Sequence, residues 1–179
     1  MISRSAAVLI VIDIQGNLFQ AMQDKENLLV NAVKVIRGAK IFNLPIIVTE
    51  QIPEKLGQTI PDLARELNGI ESMGKESFSC WGNKRFREKL ESLGSSKVII
   101  LGIESHVCVY QTTVDLIDNG YNVWVVADAV SSRTKENSDI GLTAMKSAGA
   151  QLTCAEMVLF ELLRSAGDDK FKEIFKIVK

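Results

Sequence analysis

The stretch GIESHVCVYQT, residues 102–112, follows the apolar run KVIILG and places a thiol, Cys108, six residues after its first glycine. A helix starting near His106 puts that sulfur in its first turn. There, unpaired backbone N–H groups and the positive end of the helix dipole favour a thiolate. The same N–H groups can stabilise the oxyanion that forms when sulfur attacks a carbonyl carbon. The competing reading is a core thiol, because cysteine is among the most buried residue types. Cys80 and Cys154 lie beside apolar neighbours without such a setting and read as core or incidental thiols.

A nucleophile needs a base. His106, the only histidine, stands two positions before the thiol, and residues two apart on a helix point to nearly opposite sides. It reads as a surface or interface residue. Asp13 is better placed, because it ends the apolar run AVLIVID and a buried carboxylate is costly without a partner. Capping the following turn is its alternative role. Lys75, after the flexible-looking SMG, can complete the set by stabilising thiolate or oxyanion charge. Alone it is one more solvated lysine.

Elements must bring these residues together. AVLIVID, PIIVTE, KVIILG and YNVWVVAD are short, β-branched and apolar on both faces, the pattern of strands in a helix-covered parallel sheet. Over 25–42, Leu28, Leu29, Ala32, Val33, Ile36 and Ala39 recur near a 3.6 period, which predicts a helix. Further helices are predicted over about 83–93, closed by Gly94, from about His106 to DNG, and over 135–147, closed by Gly149. AQLTC reads as a short strand before the helical segments AEMVLFELLRSA and DDKFKEIFKIV.

Strand alternates with helix throughout, which implies a single α/β domain over 1–179. It has an open, mostly parallel sheet of about six strands with helices on both faces. Ligands of such sheets bind outside the carboxyl ends of the strands, where strand order reverses. That rule selects Asp13, Glu50, Gln51, the stretch from Glu104 to Cys108, and Asp128. The stretch from Glu50 to about Lys75 reads as irregular, with a short helix at DLAREL, and is a candidate pocket wall.

Composition narrows the classes. Hydrophobic residues make up 46% and charged residues 24% of 179, an ordinary globular balance. A net charge of −1 gives no reason to expect nucleic acid or an anionic membrane as partner. No stretch approaches the ~20 apolar residues of a membrane span. Three cysteines without CxxC spacing fit a reducing compartment, so the cytoplasm is expected. GxGxxG, GxxxxGK[ST], HxH and HExxH are all missing, so neither cofactor nor metal is expected.

With these residues in view, the chain resembles the isochorismatase-like cysteine hydrolases along nearly its whole length. VLIVIDIQ, IIVTEQIPEKLGQTIPDL, GKESFSCW, GIESHVCV, VVADAVSSR and AEMVLFELL carry the resemblance, in the family's order and spacing. It implies a catalytic triad of Asp13, Lys75 and Cys108. It also implies a cis peptide between Ile103 and Glu104 and an oxyanion hole from the Glu104 and Cys108 N–H groups. Nicotinamidase members bind a metal through an aspartate and histidines after the second strand; TEQIPEKLGQTIPD has no histidine, so a metal-free site is expected. The segment is similar to the isochorismatase domain-containing subgroup.

The resemblance therefore implies hydrolysis of a small amide or other carbonyl compound through a covalent Cys108 intermediate. A non-catalytic scaffold and a thiol-redox protein are the alternatives, the latter disfavoured because no second cysteine lies nearby in sequence. Phe19, Gln51 and Phe78, with Leu56 and Trp81, are the expected pocket residues. Met157, Val158, Phe160, Leu162 and Leu163 carry more apolar surface than one helix face needs, which predicts a homo-oligomer with a dimer as its minimum unit.

Overall fold

Every residue of strand β1 (Ala7–Ile12) is buried, with Ala7, Leu9 and Val11 in one apolar cluster and Val8, Ile10 and Ile12 in another. The alternation has period two on a strand covered on both faces, which is why AVLIVI has no polar side. The structure, a computed structural model, describes residues 1–179.

After β1 come α1 (Gly16–Gln20), α2 (Lys25–Ile41), β2 (Ile46–Gln51), α3 (Pro53–Leu56), α4 (Pro61–Glu66), β3 (Ser72–Lys75) and α5 (Lys84–Ser92). The chain continues through β4 (Lys97–Ile103), α6 (Tyr110–Asp118), β5 (Asn122–Ser131), α7 (Lys135–Ser147), β6 (Gln151–Thr153), α8 (Ala155–Leu163) and α9 (Phe171–Val178). The six strands form one sheet in the order β3-β2-β1-β4-β5-β6, with every pairing parallel.

Apolar side chains of α2, α4, α8 and α9 fill one layer, including Ala32, Ile36, Leu63, Leu159 and Ile174. Phe86 of α5, Leu116 of α6 and Met145 of α7 fill the other. The chain steps outward from β1 to β3, then returns to β4 on the far side of β1. Strand order therefore reverses between β1 and β4, whose carboxyl ends lead into Asp13 and into the cysteine turn.

Several expectations change. The stretch from Glu50 to Lys75 is mostly regular: it holds α3, α4 and the edge strand β3, so SMGK is a strand and not a flexible loop. The buried Glu50 carboxylate ties it down, accepting from Thr59 N–H at 2.6 Å, Thr59 Oγ1 at 2.7 Å and Ser72 Oγ at 3.0 Å. Asp128 lies inside β5, which runs on to Ser131, and its Oδ1 accepts from the Ala155 N–H at 2.9 Å, anchoring the start of α8. Of the five α8 residues expected to carry surplus apolar surface, Val158, Leu162 and Leu163 are core; Met157 and Phe160 remain exposed.

Candidate active site

Asp13 is the first residue beyond β1, with a left-handed φ of 54° that aspartate tolerates better than most residues. Its N–H donates to the Thr49 carbonyl at 3.1 Å, and its side chain is fully buried. Lys75 ends β3 in register with Gln51 on β2, so its side chain must cross β2 to reach β1. It does, placing Nζ 2.7 Å from Asp13 Oδ2 with both side chains sealed from solvent. Thr49 Oγ1 donates to the other oxygen, Oδ1, at 2.8 Å. Both carboxylate oxygens are thus engaged, and the capping role does not apply to Asp13.

The Lys75 ammonium also meets Gln51 Oε1 at 2.7 Å, the Ser77 carbonyl at 3.1 Å and the Phe78 carbonyl at 3.0 Å. An ammonium has three donors and no acceptor, so this cage of oxygens suits only the charged form. Burial pulls its pKa down, but the negative charge of Asp13 and its two neighbouring thiols outweigh that, and the net direction is upward. Lys75 is a fixed cation here, unsuited to act as a base.

Cys108 is not in a regular α-helical first turn. Residues Ser105–Val109 form a wide π-type turn, and α6 starts only at Tyr110. The Glu104 carbonyl accepts from Val107 N–H at 3.1 Å and from Val109 N–H at 3.2 Å, passing over the Cys108 N–H between them. The Glu104 N–H has no hydrogen-bond partner in the chain, and the peptide bond preceding it, from Ile103, is cis. Such widened turns recur at functional sites. Gly141 of α7 underlies this one: a Cβ there would lie 2.9 Å from the His106 nitrogen and the Ser105 carbonyl. Only glycine lets α7 approach so closely.

The surroundings of Cys108 do not favour the thiolate that a helix start alone suggests. Burial raises the Cys108 pKa most, the charge of Asp13 raises it further, and Lys75 lowers it only in part, leaving it well above the ordinary thiol range. The Lys75 charge is already balanced by Asp13, so it offsets only part of that upward push. His106 does face elsewhere: its Nδ1 lies 2.9 Å from Ser132 Oγ, and the side chain is half-buried.

Cys80, read from the sequence as a core or incidental thiol, is a core thiol and also borders the site. Its Sγ lies 3.6 Å from Thr49 Oγ1, its N–H donates to Thr112 Oγ1 at 2.9 Å, and burial together with Asp13 pushes its thiol up to about 11. The two thiols influence one another, so distance in sequence does not separate them in space. Gln15 was also missed. It accepts from the Gln51 N–H at 2.7 Å and donates to the Gln51 carbonyl at 2.9 Å, holding the end of β2.

Among the expected pocket residues, Phe19 is buried and Phe78 is 54% exposed. Gln51 is used at both ends of its amide, Oε1 by Lys75 and Nε2 by the Glu76 carbonyl at 2.7 Å. It therefore holds the lysine. Trp81 turns its ring edge-on to Tyr121, with centroids 5.9 Å apart, and Leu56 is partly exposed. The Glu104 carboxylate pairs with Arg133 at 2.6 Å. No group of three or more His, Cys, Asp or Glu side chains is arranged to hold a metal ion, and no helix is long and apolar enough to cross a membrane.

The fold is that of a known class of α/β proteins: the Isochorismatase domain family model matches residues 7–157, and the chain belongs to that family, which supports a hydrolase fold. Among its relatives, isochorismatase domain-containing protein 2 of Xenopus laevis is 37% identical over 97% of this chain and 83% of its own length. The solved structure of Caenorhabditis elegans MAR1 ribonuclease superposes with a TM-score of 0.93 at 35% identity, covering 99% of this chain and 91% of that one. The YcaC gene product of Escherichia coli, described as an octameric hydrolase of unknown specificity, superposes with a TM-score of 0.93 at 25% identity over 98% and 89% of the two chains.

Proposed function

We propose that this protein is a cysteine hydrolase that cleaves an amide or ureido C–N bond of a small carbonyl compound through a covalent Cys108 intermediate. The observation that carries the reading is the buried Lys75–Asp13 pair, 2.7 Å apart, set beside the buried Cys108 thiol. Asp13 takes the thiol proton as sulfur bonds to the carbonyl carbon, and Lys75 balances the charge through the transfer. The oxyanion is received by the N–H groups of Glu104 and Cys108. The C–N bond then breaks, and the proton on Asp13 goes to the leaving nitrogen. Water attacks the resulting thioester, Asp13 takes its proton, and that proton returns to sulfur as the acid departs. Phe19 and Phe78 flank the substrate in this reading, and every step uses the chain's own groups.

A panel of small amides and ureido compounds scored for ammonia release tests it, with Cys108→Ala and Cys108→Ser as controls. Both variants should fold and show no turnover. Near-native activity in either would remove Cys108 as nucleophile. Chelation should leave activity unchanged; loss restored by stoichiometric zinc or iron would count against the metal-free reading. The C. elegans relative is described as a ribonuclease, so labelled RNA belongs in the panel, and RNA cleavage that persists in Cys108→Ala would replace this proposal. An intramolecular Cys80–Cys108 disulfide formed without any turnover would favour the thiol-redox alternative.

Assembly follows the same reading. Met157, Phe160 and Phe175 are exposed apolar side chains, and the E. coli relative is octameric, which supports a homo-oligomer with a dimer as minimum unit. Light scattering should give at least twice the 19.7 kDa of one chain. An active monomer would overturn this.

A further inference from the structure

We infer that Thr49, polarised by Cys80, is a positioning residue that sets the basicity of Asp13 and fixes which carboxylate oxygen receives the thiol proton. The inference rests on the proposed role of Asp13 as the base. Thr49 is 1% exposed and Cys80 is fully buried, so neither contact competes with water. An ionised carboxylate only accepts, so the Thr49 hydroxyl must donate its single proton to Asp13 Oδ1 across the 2.8 Å contact. The Thr49 oxygen is then left as acceptor, and the Cys80 S–H, 3.6 Å away, is its donor. Cys80 retains that proton across the working range of a neutral-pH enzyme, because burial and Asp13 hold its thiol up to about 11. The result is a one-way donor chain: Cys80 S–H to Thr49 O–H to Asp13.

The groups that face Asp13 are Lys75 from β3, Thr49 from β2, Cys80 from the short turn after β3, and Cys108 from the turn after β4. Lys75 and Thr49 divide the two oxygens between a permanent cation and a rotatable hydroxyl. A proton arriving on Oδ2 would oppose an ammonium that cannot turn away. On Oδ1 it meets a hydroxyl that can reverse its bond and accept. Oδ1 is therefore the oxygen that carries the proton between sulfur and the leaving nitrogen. Once Asp13 is protonated, Thr49 accepts from it and presents its own proton toward the Cys80 sulfur.

The test uses iodoacetamide alkylation of Cys108, followed by intact mass and peptide mapping across a wide pH range, on the full chain. It needs no substrate. Thr49→Val should move the acid limb of the Cys108 rate to higher pH by about one unit, the size expected when a hydrogen bond to a charged group is lost. Thr49→Ser, which keeps the hydroxyl, should return the limb to its wild-type position. Cys80→Ala should shift it in the same direction by less. An unmoved limb in Thr49→Val, or a Thr49→Ser limb displaced as far, overturns the positioning role; an unmoved limb in Cys80→Ala overturns the polarising role of Cys80. A purely structural defect lowers melting temperature without restoring the limb in serine. If the wild-type Cys108 rate has no acid limb, the catalytic reading fails first, before any Thr49 variant is compared.

Discussion

The carboxyl edge of the sheet is built in two unlike halves. On the side of β1, β2 and β3, every polar atom of Asp13, Lys75 and Gln51 side chains has a partner, at distances of 2.7 to 3.1 Å. On the side of β4, the Glu104 N–H at the head of the cysteine turn has no partner, and the Glu104 carbonyl bridges past Cys108 to Val109. Buried polar groups in folded proteins are nearly always satisfied. A saturated network resists reorganisation, which suits groups that must hold charge and hand over one proton. Open donors suit a site awaiting an oxyanion. Under the proposed mechanism, the contrast divides the labour between charge storage and charge reception.

The largest effect should come from breaking the saturated half. Lys75→Met leaves Asp13 buried without its cation, and removal of one member of such a pair typically costs about 3–5 kcal/mol. Urea unfolding should show that loss together with abolished turnover. Adding Asp13→Leu should recover much of the stability and none of the activity, because apolar replacement of a whole buried pair is well tolerated. Equal instability of the single and double variants would mean that the network matters beyond this pair.

Gly141→Ala attacks the other half. The new methyl must displace the backbone of Ser105 and His106, at a cost of about 1–3 kcal/mol. Turnover should fall further than that stability loss implies, since the turn carries both the sulfur and its N–H groups. A variant that lost stability but kept full activity would separate α7 from the geometry of the turn.

Alkaline titration sharpens the comparison across both halves. Cys80, Cys108 and Lys75 all have folded-state pKa values raised above their ordinary ones. Each therefore contributes stability that is complete below its unfolded pKa and is lost as pH rises through the folded one. Melting temperature should begin to fall above the ordinary thiol value of 9.0 and keep falling as pH passes about 11, where Cys80 titrates. In Cys80→Ala the decline should be shallower. A flat profile over that window would contradict the burial of the thiols.

The smallest effect belongs to the surface. Arg37 and Glu66 form an ion pair whose arginine side chain is 54% exposed. Such pairs contribute at most ~1 kcal/mol, so Arg37→Ala should barely move the melting temperature and should leave Cys108 reactivity untouched.

The strands around the site were readable as runs because a buried parallel strand must be apolar on both faces, and AVLIVID and KVIILG have no polar side. SMGK was misread because an edge strand of four residues with a glycine carries no such pattern; it is held by pairing to β2. Asp13, Lys75 and Cys108 were nominated by position and family resemblance, and strand order brought them to one edge. Thr49, Gln15 and Cys80 gave no local signal, since their partners lie 31 to 36 positions away in sequence.

Local chemistry along the chain therefore determined which segments would be strand or helix and which residues had the right functional groups. Only the tertiary structure decided in which direction the pKa values of Lys75 and the thiols are pushed. A thiol at a helix start reads as a thiolate when the dipole is the sole neighbour considered. Folding adds burial and a carboxylate on one side, and balances the nearby lysine against that carboxylate, so the thiol pKa is pushed up and not down. Those opposing contributions depend on distances between β1, β3 and the turn after β4, and no stretch of sequence contains them.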